Sequence, residues 1–212
     1  MEQEAITRYR VVYSKKGMLR FCGHLDMQRL WERALRRSGL PMRYSQGFSP
    51  KARLNLATAL PLGYVSACEV LDFWMNELLP ESEVQQILQR NLPVDLMISS
   101  VSLVANELPS LQSSVTASDF VVRLPHEYDF EALNEKLESL KGSGTLMRTK
   151  RGKTYDLLPL IEAIALLEID EKPVLQMRMS ARPGATGRPD EVLDAMGIDS
   201  NACIIERTGI SF

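Results

Sequence analysis

The sequence predicts an α+β protein made of two tandem ferredoxin-like (split βαβ) domains, each an antiparallel sheet with helices on one face. Three observations lead there. The apolar periodicity switches between two and about 3.6 residues in the order strand, helix, two strands, helix, strand. A polar stretch then intervenes, and a similar pattern begins again after it. The 212 residues, 45% hydrophobic and 25% charged, are enough for two such cores.

The first half opens on a strand at 7–14, where Tyr9, Val11 and Tyr13 alternate with Arg8 and Arg10. Lys15-Lys16-Gly17 is a turn, and 18–22 is expected to pair back as a short strand. A helix follows over about 25–38, with Met27, Leu30, Trp31 and Ala34 inward and Gly39 and Pro41 as stop signals. Residues 42–53 are a basic, aromatic-bearing connection. Strands are expected at 52–60 and 68–75, a short helix at 81–91 and a closing strand at 96–104. The domain is thus drawn at 1–105, and 106–118, with Pro109 and four serines, reads as a linker.

The second domain, 119–212, starts with a strand at 119–124. Asp129 is a candidate cap for a helix running to about Leu140, with Phe130, Leu133 and Leu137 inward. Two hairpins are expected, at 145–149 with 153–157 and at 164–169 with 174–179. The first carries a cationic tip at Lys150-Arg151. After the loop Arg182–Arg188, Pro189 fits a helix start and Gly197 its end, and 202–207 is the last strand.

Charge is unevenly distributed. Residues 1–53 hold twelve Lys/Arg against four Asp/Glu, a net of +8, whereas the rest nets −10. Within the basic part, Arg29, Arg33, Arg36 and Arg37 fall at offsets 0, 4, 7 and 8, along one helix face. Arginine binds phosphate bidentately, and exposed aromatics stack on unpaired bases. Arg43, Tyr44, Gln46, Phe48, Lys51 and Arg53 extend that surface, so its expected ligand is RNA. The alternative is a metal-independent RNA-processing or RNA-modifying enzyme using His24, Tyr44 and Lys51, because a histidine titrates where acid–base chemistry needs it. A third reading is a protein–protein scaffold. The Arg182–Arg188 loop offers glycines to an anion but lacks the phosphate-loop order, and His126 reads as surface loop.

Cys22, Cys68 and Cys203 are far apart and form no CxxC pair, so free buried thiols are expected and no metal or other cofactor. No apolar run is long enough for a membrane helix, and the acidic start does not read as a signal peptide, which makes cytoplasm the expectation.

Residues 19–26 (Leu-Arg-Phe-Cys-Gly-His-Leu-Asp), 32–41 and the block Tyr44-Ser45-Gln46-Gly47-Phe48-Ser49-Pro50-Lys51 resemble a bacterial family of unknown function associated with radical S-adenosylmethionine (radical SAM) proteins. The likeness continues at 59–63 and 188–193. It implies a protein encoded beside, or fused to, a radical SAM enzyme with a cobalamin-binding-like domain, near genes for ribonucleases and ribosomal proteins. On that basis the expected role is an accessory protein, without catalysis of its own, that binds tRNA or rRNA or presents it for modification or processing. Family members carry Asn-Pro-His-Pro-Lys where this chain has Ser49-Pro50-Lys51-Ala52-Arg53. The absent histidine and the retained charge favour binding over catalysis. At the level of fold alone, the expected architecture is also similar to CRISPR repeat-processing endoribonucleases.

Overall fold

The computed structural model describes residues 6–125, 128–150 and 152–212. His126 and Arg151 lie outside them. The protein is mixed α+β and mostly antiparallel, and it divides into two compact units, Met1–Val115 and Thr116–Phe212.

The first unit is built on β1 (Thr7–Lys15), whose alternation sends Tyr9, Val11 and Tyr13 into the core. It runs antiparallel to β3 (Val65–Met75), with Tyr9 opposite Phe73 and Val11 opposite Leu71, and to β4 (Leu96–Val104) on its other side. The short β2 (Leu54–Leu56) pairs with β3, so the order is β2-β3-β1-β4. Helices α1 (His24–Arg37) and α2 (Glu81–Arg90) bury Met27, Trp31, Ala34 and Leu35, and Val84 and Leu88. Aromatic rings lock the centre. Tyr13 meets Trp31 edge-on at 4.9 Å, and Tyr9 stacks on Phe73 at 5.6 Å.

Two expectations need correction here. Residues 17–21 form a 3-10 turn rather than a strand, because β3 and β4 already occupy both edges of β1. The Lys16 amide instead donates to the Asp95 carbonyl at 3.0 Å. Of the stretch 106–118 expected as a linker, residues 106–115 pack into this unit. Leu111, on the single-turn α3 (Leu111–Ser114), and Val115 are buried. The carbonyls of Leu108 and Pro109 accept the Arg8 guanidinium at 2.7 and 2.9 Å.

In the second unit the order is β8-β9-β5-β11, for β5 (Ala117–Arg123), β8 (Ile161–Ile169), β9 (Lys172–Arg182) and β11 (Ile204–Ser211), all antiparallel. Asp129 does cap α4 (Phe130–Lys141), accepting from the Ala132 amide at 2.9 Å, and Leu133, Leu137 and Leu140 face inward. The hairpin of β6 (Met147–Lys150) and β7 (Lys153–Asp156) stands as a separate ribbon. Asp170 and Glu171, both at positive φ, make the tight turn between β8 and β9. β10 (Ala185–Thr186) folds back on the end of β9, and α5 (Pro189–Ala195) begins at the expected proline. Among the described residues no helix is long and apolar enough to cross a membrane.

Candidate nucleic-acid interface

The sequence of α1 separates two faces. Its inward stripe fixes the roll of the helix, and Arg29, Arg33 and Arg36 therefore stand exposed on the outer side. By helical rise they span about 10 Å. Arg29 meets Asp26 at 3.5 Å, an exposed pair of little strength. Among the described residues no acid pairs with Arg33 or Arg36. Arg37 is turned aside, donating to the Asn91 carbonyl at 2.9 Å.

The 43–53 connection is a short ribbon. Tyr44 bridges Ala52, the Ser45 amide donates to the Lys51 carbonyl at 2.8 Å, and the Lys51 amide donates back to the Ser45 hydroxyl at 3.1 Å. Between those bonds the chain turns through Gly47 at φ 131°, which favours glycine. At this tip Phe48 is fully in solvent, at 112% relative exposure, and Gln46 and Lys51 are also exposed. Tyr44 is partly exposed. A ring held in solvent in this way can stack on an unpaired base.

Alternation along the ribbon divides the cations. Met42 and Ala52 point into the core beneath α1, so Tyr44 lies on the α1 side, while Arg43 and Arg53 lie on the other. The Arg53 guanidinium sits 4.3 Å over the Trp74 ring, and Arg43 donates to the Asn76 side chain at 3.1 Å. The predicted set is thus divided, with Arg29, Arg33 and Arg36 on the outer face of α1 and Arg43 and Arg53 on the far side of the ribbon. Part of the basic segment is internal. Asp72, itself buried, holds both Arg8 and Arg10, and Lys15 is buried with its ammonium on the Cys22 carbonyl at 2.8 Å.

His24, Tyr44 and Lys51 are not brought together. The ribbon hangs from Trp74, whose carbonyl accepts the Arg43 amide. His24 instead lines a narrow cleft with Tyr13, Lys15, Thr58 and Glu69. Five residues of strand separate Glu69 from Trp74, roughly 16 Å. Sequence reasoning passed over Lys15 and Glu69. The signal was available, since each is a charge at an inward position of an otherwise apolar alternation.

Burial lowers the His24 pKa from 6.5, with Glu69 pulling the other way. The unfolded chain therefore takes up this proton first as pH falls through about 6.5, and the stability tied to neutral His24 is present above that value and lost below it. We expect the loss of melting temperature between about pH 7 and about pH 5 to be smaller in His24→Gln than in the parent. Equal loss in both proteins would show that His24 is not a source of it.

Elsewhere, the Arg182–Arg188 loop offers no open phosphate cradle. Its Gly187 amide is spent on the Ser180 carbonyl, and Arg188 is folded onto Asp190. The three cysteines are free and only partly buried, and burial raises the Cys203 thiol to about 11. Among the described residues no three His, Cys, Asp or Glu side chains are grouped to hold a metal ion.

Fold and surface together define a two-unit α+β protein whose first unit bears an exposed arginine helix and an aromatic-tipped ribbon. Residues 8–189 match the model of the family described as "Uncharacterized protein conserved in bacteria" (DUF2344), and the chain belongs to that family. No curated protein matches it.

Proposed function

We propose that this protein is an RNA-binding, substrate-presenting accessory factor, without catalysis of its own, that acts in the cytoplasm with a radical SAM enzyme in tRNA or rRNA modification or processing. The observation that carries the RNA part is the solvent-exposed Phe48 on a pinned tip, on a unit that also exposes Arg33 and Arg36 on α1 and carries Arg43 and Arg53 on the ribbon itself. Phosphates would lie on the guanidiniums and an unpaired base on the ring. The enzyme partner rests on the sequence resemblance. A ferredoxin-like reading of both units is supported by their strand orders. Taking β1–β4 in the first unit and β5, β8, β9 and β11 in the second, and numbering each set by position in the chain, both run second, third, first, fourth, with a helix between first and second and between third and fourth.

Fluorescence anisotropy with tRNA and with a single strand of about 15 nucleotides tests the reading. With four phosphate contacts, log K should fall with log[salt] at a slope near −3. Phe48→Ala should weaken binding by roughly five- to a hundredfold, the worth of one stacked base, and leave the melting temperature unchanged. Binding that ignores salt would refute the proposal.

A further inference from the structure

A second surface on the first unit is mainly aliphatic, with a single aromatic ring. Met18 and Phe21 on the 3-10 turn, Leu25 at the start of α1, Leu62 and Val94 all stand in solvent, from 55% for Phe21 to 87% for Val94. Short contacts join their segments. The Gly63 amide donates to the Arg20 carbonyl at 2.8 Å, and the Leu62 side chain lies 3.9 Å from the Cβ position of Gly23. Asp95, next to Val94, accepts the Met18 amide at 3.2 Å. Leu19 and Cys22 pack against the core below. The surface is therefore preformed, and a fold gains nothing from leaving five large apolar side chains wet at one end.

We propose that this end of the first unit docks a helical segment of another protein, one with an apolar stripe and acidic flanks. The charge at the rim argues for that chemistry. Lys16 and Arg20 are exposed there, and the Arg20 guanidinium lies over the Phe21 ring at 4.7 Å, open to a carboxylate. Asp26 and Asp95 lie nearby, the first in a weak exposed pair with Arg29 and the second accepting the Met18 amide, so Lys16, Arg20 and Arg29 still leave the rim cationic. RNA fits poorly, since Met18, Leu25, Leu62 and Val94 offer no stacking face and the one aromatic, Phe21, already carries the Arg20 guanidinium over its ring. An anionic membrane surface calls for a denser cationic cluster. A symmetric dimer would set Lys16 and Arg20 against their own copies. An amphipathic helix instead places i, i+3, i+4 and i+7 anchors on the patch and its carboxylates on the rim.

The inference goes beyond the RNA reading and stands on different residues, with Leu25 and Arg36 about 16 Å apart along α1. The probe is a labelled helical peptide of about 18 residues with a leucine stripe and glutamates elsewhere, compared with its lysine counterpart. The glutamate peptide should bind at least tenfold more tightly. Phe21→Ser/Leu62→Ser should cost at least tenfold without moving the melting temperature or the RNA affinity. If that variant does not fold, Lys16→Glu/Arg20→Glu decides, and it should invert the preference between peptides. Several outcomes would overturn the proposal: equal binding of both peptides, no binding of either, capture by phosphatidylserine vesicles that Phe21→Ser/Leu62→Ser abolishes, or a parent dimer in sedimentation that the same variant dissociates. Loss of RNA binding alone would leave it standing.

Discussion

Replacing Asp72 with asparagine is expected to destabilise the protein by about 3–5 kcal/mol, the cost of leaving a buried charge without its partner. The carboxylate accepts the Arg8 Nε at 2.8 Å and the Arg10 Nε at 2.8 Å, and both Arg8 and Asp72 are shut away from solvent. Arg8 keeps only neutral acceptors in the variant, the carbonyls of Leu108 and Pro109. For a chain of this length the loss corresponds to a fall in melting temperature of roughly 10 °C. Differential scanning calorimetry at neutral pH measures it. Removing both fully buried members, as Arg8→Met/Asp72→Leu, should recover much of the loss, because the buried Arg8 charge goes with its partner and the part-exposed Arg10 can turn to water. A single variant as stable as the parent would mean that Arg8 finds another anion or reaches water.

Reversing Arg33, Arg36 and Arg37 to glutamate should weaken RNA binding tenfold or more while leaving the fold intact. Arg33 and Arg36 are the open charges of α1, exposed and remote from the core stripe. Arg37 contributes less directly, because it is engaged at Asn91. Losing the two phosphate contacts of Arg33 and Arg36 should also flatten the salt slope by about 1.4. Anisotropy titrations at several salt concentrations, with circular dichroism as the control, provide both readouts. An unchanged affinity in a folded variant would remove α1 from the interface and leave only the ribbon. Together with Phe48→Ala the experiment separates charge from stacking, since the aromatic substitution should lower affinity without altering the slope.

Much of the architecture was legible in the amino-acid order because the cores are built from simple periodicities. Tyr9, Val11 and Tyr13 at every second position, and Met27, Trp31 and Ala34 at helical spacing, define which face is buried before any partner is known. Caps were equally local: Asp129 needs only its own helix to find the Ala132 amide. The errors fell where pairing at a distance decides. Residues 18–22 have strand-compatible side chains, but no edge of β1 remains for them. Asn106–Ser118 looks like a linker by composition, yet Arg8, a hundred residues earlier in the chain, uses its carbonyls as hydrogen-bond acceptors.

The site follows the same division. The sequence alone determined that Arg29, Arg33 and Arg36 share an exposed helical face and that a glycine-bearing loop with Tyr44 and Phe48 follows it, because both depend on residues close in the chain. Only the tertiary structure decided that Phe48 stands in solvent, that Arg8 and Lys15 are withdrawn from the basic surface, and that His24 sits with Glu69, apart from Tyr44 and Lys51. Those outcomes depend on which strands lie side by side, and the free energy of burying a charge or a ring is set by neighbours the local sequence does not name.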